Sequence, residues 1–102
     1  MIIKIRQPDP AHALAQARAA MVISPMQGIL TLGETEWGKV LAYRDAVDEG
    51  GKQTTPWVQR TMIDNASDWV RTSQNIDFFG YLLGYTDEQM DDLFIAASQV
   101  KA

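Results

Sequence analysis

The chain has 102 residues, of which 46% are hydrophobic and 22% charged, with a net charge of −4. This is the balance of one ordinary globular domain, too apolar for a disordered chain. Without a single cysteine it has no disulfides or thiolate metal sites, which fits a cytosolic setting, and no apolar run approaches the roughly 20 residues of a membrane span.

In chain order, residues 1–9 open with "MIIKIR", whose loose alternation suits a short strand or an extended arm. Asp9-Pro10 resembles a cap followed by proline at the first helical position, and the Ala-rich "AHALAQARAAM" after it has high helix propensity. Ser24-Pro25 repeats that start signal and opens "PMQGILTL", which Gly33 is placed to close through a left-handed residue. "ETEWGKVLAYRDAVDE" then carries Trp37, Val40, Leu41 and Arg44 at the spacing of one helical face. "GGKQTT" reads as a helix–helix connection ending in a third such start, Thr55-Pro56.

From Pro56 to about Thr72 the pattern predicts one helix, with Val58, Met62, Ala66 and Trp69 along one side. Ser73 caps "QNIDFFGYLL", which Gly84 ends, and Thr86 caps a last amphipathic helix carrying Met90, Leu93, Phe94, Ala97 and Val100. The fold expected is therefore all-α, a bundle of five or six short helices. One helical domain spans 1–102, with residues 1–9 as its arm.

Charge is spread unevenly. Residues 1–60 carry seven basic and six acidic groups, whereas residues 61–102 carry two basic and seven acidic groups. Nucleic-acid binding needs clustered Lys and Arg to displace counterions, so direct binding is disfavoured, while the charge permits a protein partner with a basic face. Within "YTDEQMDDLF", Thr86 to Gln89 fits a capping box, and Asp87 and Glu88 sit where the helix dipole favours acids. Asp91 and Asp92 repel those two at i,i+3 and i,i+4 spacing. They are the charge that local helix chemistry does not require. A calcium loop needs oxygen ligands alternating around a central glycine; here the acids lie within a helix, so no metal is expected.

The reactive inventory is poor. His12 is the one histidine, so a Ser–His–acid triad would rest on it alone. Asp64 and Asp68 stand at i,i+4 on one face of that helix, with Arg60 and Arg71 near enough to pair with them. The glycines form no phosphate-binding spacing. Neither an enzyme nor a cofactor is expected. Most aromatic residues fall on apolar stripes, but Trp57 stands one residue ahead of its stripe and next to the linker. An exposed Trp there suits partner binding, so Trp57, Asp91 and Asp92 are the candidate partner-binding residues.

"SPMQGILTL", "ASDWVR" and above all "LGYTDEQMDDLFIAA" resemble a group of small uncharacterised proteins of tailed bacteriophages and prophages, encoded near tail or tail-fibre genes. The resemblance covers roughly residues 24–100, while "DEGGKQTTPW" departs from the group's pattern. It implies a phage accessory protein in the host cytoplasm, a protein-interaction or assembly factor for tail components, and supplies no catalytic residues. The alternative in another class is a regulator of host nucleic-acid machinery acting through its acidic surface.

Overall fold

Cap chemistry sets most element boundaries. The computed structural model describes residues 10–65 and 67–101, so the strand or arm expected over residues 1–9, and the Asp9 cap, lie outside the described residues. Helix α1 runs Pro10–Ala19, strand β1 Val22–Ile23, and α2 Pro25–Asp45. Then come α3 Trp57–Asn65, strand β2 Trp69–Val70, α4 Gln74–Leu83 and α5 Asp87–Ser98. The all-α expectation is met, with five helices and one small sheet among the described residues. No helix among them is long and apolar enough to cross a membrane.

Three caps form where the sequence places them. The Ser24 hydroxyl accepts from the Gln27 amide and the Gln27 side chain accepts from the Ser24 amide, a complete capping box. Thr86 and Gln89 build the same box on α5, and Ser73 accepts from the Ile76 amide on α4. Such a cap contributes about 1 kcal/mol by occupying helix amides that would otherwise lack partners. Thr86→Ala should therefore lower the unfolding free energy by that amount, seen as a lower urea midpoint at an unchanged m-value by circular dichroism.

Gly33 does interrupt α2, but not as a left-handed closure. Its φ of 82° and ψ of 170° fall in the extended region open essentially to glycine alone. The helix resumes at once, as two segments, 25–32 and 34–45, set at an angle. The first carries Gly28 against Trp69 and reaches the end of the chain through the Gln27 Nε2 bond to the Val100 carbonyl at 3.0 Å. The second packs Trp37 on Phe79 and Tyr43 on Phe78.

Two expectations for residues 55–72 are corrected. Thr55 does not cap α3: it is buried, and its hydroxyl donates to the Tyr43 carbonyl, while Pro56 supplies the carbonyl that accepts from the Arg60 amide. The long helix from Pro56 to Thr72 stops at Asn65. Asn65, Ser67 and Asp68 favour local side-chain bonding over helix, and Trp69 is required elsewhere. Trp69-Val70 instead forms β2, antiparallel to β1, with Val22 opposite Val70 and Ile23 opposite Trp69. The Arg71 amide extends the pairing to the Met21 carbonyl. Val58 and Trp69 therefore share no stripe, and the α3 residue that reaches the core is Ile63.

The core gathers Ile23, Val40, Ile63 and Trp69 with Ile76 and Phe79 of α4 and Met90, Leu93, Phe94 and Ala97 of α5. Its centre is aromatic: Trp37, Trp69 and Phe79 form a triangle with ring centroids 5.2 to 5.7 Å apart. Burying each large side chain stabilises the fold by about 1.5–3 kcal/mol. This cluster is the main source of stability. The "GGKQTT" connection is a tight loop in which the Asp48 carboxylate accepts from the Gly50 and Lys52 amides, and Val47 bridges Gln53.

Candidate functional site

The acids of "YTDEQMDDLF" have unlike surroundings. Helix α5 turns Met90, Leu93 and Phe94 into the core, which carries Asp91 to the rim of the core and leaves Asp92 outside. Asp91 is held between two arginines. Arg18, on α1, donates from Nε to both carboxylate oxygens at 3.0 and 3.1 Å and from Nη2 to Oδ2 at 2.8 Å. Arg71, just after β2, donates from Nε to Oδ1 at 2.9 Å and from Nη2 to the Asp87 carbonyl at 3.1 Å. The hydrogen bonds from Arg18, then those from Arg71, hold the Asp91 carboxyl below its ordinary range despite burial.

Asp91 is thereby corrected as a free partner-binding charge. The side chain is 15% exposed and Arg71 4%, so the i,i+4 repulsion along α5 is offset inside the molecule. Next to this knot lies an open cleft of about 580 Å³ lined by Ala15, Arg18, Arg71, Thr72, Asp77 and Asp87. With two guanidiniums and two carboxylates along it, the cleft is polar and nearly balanced in charge. Asp87 meets Arg71 only at 3.5 Å and is 74% exposed, a weak tie.

Asp92 is exposed and lines a second, shallower cleft of about 360 Å³ with Thr31, Leu32, Tyr85, Gln89 and Leu93. Burial, together with a hydrogen bond to Glu36, pushes the Tyr85 hydroxyl above its ordinary value. Lys39, and then Tyr85, hold Glu36 below its own.

Trp57 is the first residue of α3 and is 68% exposed, and Val58 beside it is 59% exposed. Neither side chain belongs to the core. Met26 and Leu30, one helical turn apart on α2, are also more than half exposed, as is Tyr81 on α4. Scattered singly, such exposed side chains need no explanation; among the described residues the adjacent pair Trp57-Val58 is the largest apolar exposure at consecutive positions.

The remaining sequence candidates do not assemble. His12 is exposed on α1. Asp64 and Asp68 share no helical face, because α3 ends between them. Asp64 pairs with Arg44 at 2.8 Å, not with Arg60 or Arg71; Arg60 donates to the Thr55 carbonyl. Asp45, and then Asp64, raise the Arg44 guanidinium above its ordinary value. No group of three His, Cys, Asp or Glu residues among those described could hold a metal ion.

The sequence reading missed Arg18 and Arg71 as partners of Asp91. Arg71 had a signal, since it is one of two basic residues among nine charges in residues 61–102. Arg18 had none, because it is 73 residues from Asp91. No protein-family model, no curated protein and no solved structure matches the chain.

Proposed function

We propose that this chain is a non-enzymatic protein-interaction module, a phage or prophage accessory factor that docks onto a tail component in the bacterial cytoplasm. The observation that carries the reading is the Trp57-Val58 pair. A tryptophan and a valine stand in water at the start of α3, although Trp is among the most effective side chains for anchoring an interface. The resemblance of the chain to phage proteins encoded near tail genes supplies the class of partner. Asp92 supports it from a second surface, as an exposed acid beside a cleft.

The alternative, an acidic surface presented to host nucleic-acid machinery, loses its most central charge to the arginine pair on Asp91 and keeps Asp87, Glu88 and Asp92.

Co-expression with the tail components of the same operon tests the proposal. A tail component should co-purify with the wild-type chain, and Trp57→Ala should reduce its recovery at least tenfold, the equivalent of about 1.4 kcal/mol or more for a hot-spot aromatic. Because Trp57 lies outside the core, the variant should melt within a few degrees of wild type. Recovery of polymerase subunits instead of a tail component, or undiminished recovery by the variant, would overturn it.

A further inference from the structure

We infer that α1 is a releasable arm, latched to the body through the seat that Asp91 offers Arg18. The helix contributes no buried residue to the core, and its one large apolar side chain, Leu14, is 45% exposed. Its composition favours helix, but a free helix of 10 residues is only marginally stable in water. Something beyond propensity must hold it, and the two-pronged Arg18–Asp91 contact is a bond with the necessary geometry.

The other half of the seat is permanent. Arg71 is 4% exposed and is tied through its backbone to Met21 and through its side chain to Asp87. It holds the Asp91 carboxylate in place whether or not Arg18 is bound. Arg18 is the exchangeable partner: its side chain is 20% exposed and borders the open cleft. Water and ions therefore reach the contact from one side. No α1 residue is buried, so opening draws no α1 side chain out of the core and breaks the Arg18–Asp91 ion pair.

This opening is local, and amide hydrogen exchange reads it directly. In the full chain, amides of Leu14 to Ala19 should exchange far faster than those of Phe79 and Phe94. Arg18→Gln should speed the α1 amides about fivefold further and leave the α4 and α5 amides unchanged. Raising sodium chloride from 20 mM to 500 mM, where screening shortens from roughly 20 Å to under 5 Å, should speed α1 exchange in wild type but not in Arg18→Gln. The wild-type salt comparison stands without the variant. Exchange of α1 at the rate of the core, or α1 rates indifferent to both Arg18→Gln and salt, would overturn the latch.

Discussion

Asp91→Asn should destabilise the fold by about 3 kcal/mol, because it leaves the Arg71 guanidinium buried without the carboxylate that balances it. Arg71 is 4% exposed, and its other acidic neighbour, Asp87, is 3.5 Å away and 74% exposed. A domain of this size should lose roughly 15 °C in Tm, measured by calorimetry. Asp87→Asn, which removes only the weak outer tie, should cost less than about 1 kcal/mol. The contrast separates the buried partner from the exposed one.

The same pair gives the fold an acid limit. Because the Asp91 carboxyl titrates lower in the folded chain than in the unfolded one, the unfolded state binds the proton more readily. The stabilisation from Asp91 is therefore complete above the unfolded value, near pH 4, and is lost as pH falls through the lower folded value. Urea melts between pH 5 and pH 2 should show wild type losing this contribution, while Asp91→Asn lacks it throughout.

Gly28→Ala should cost about 2 kcal/mol, against the helix propensity scale. In an open helix interior the exchange gains about 1 kcal/mol. At Gly28 the added carbon would stand 2.2 Å from Cζ3 and 2.4 Å from Cε3 of the Trp69 ring. Trp69 cannot swing away, because Trp37 and Phe79 close on it at 5.6 and 5.2 Å. Overpacking of this kind costs about 1–3 kcal/mol and exceeds the propensity gain. Gly38→Ala is the matched control: nothing lies within 4 Å of its added carbon, so it should be neutral or stabilising. Tryptophan fluorescence should change in the first variant and not in the second.

What could be read from the sequence was local. Ser24, Ser73 and Thr86 act within three residues of themselves, so their caps and the helices they open were legible, as was the apolar face of α5. Trp69 was not. Its neighbours suit a helical stripe, and only the distant Val22-Ile23 strand and the bare surface of Gly28 draw it into the sheet and the core. Asp91 failed in the same way. Its charge exceeds what the helix start requires, and the two arginines that neutralise it come from 20 and 73 positions away, beyond the reach of a local pattern. Trp57 was readable as exposed because its position out of step with the apolar residues is itself a local property.

Several ties that close this molecule join segments far apart in sequence. Gln27 holds the Val100 carbonyl, Arg18 holds Asp91, and Val22 pairs with Val70. Helical proteins usually fold quickly because their contacts are near in sequence, whereas long loops must be closed before distant contacts repay their entropy. Here Phe94 and Ala97, two of the most buried residues, arrive on the last helix. The core is therefore closed only when α5 packs onto the elements before it. Closure of the core thus couples segments that are distant in sequence.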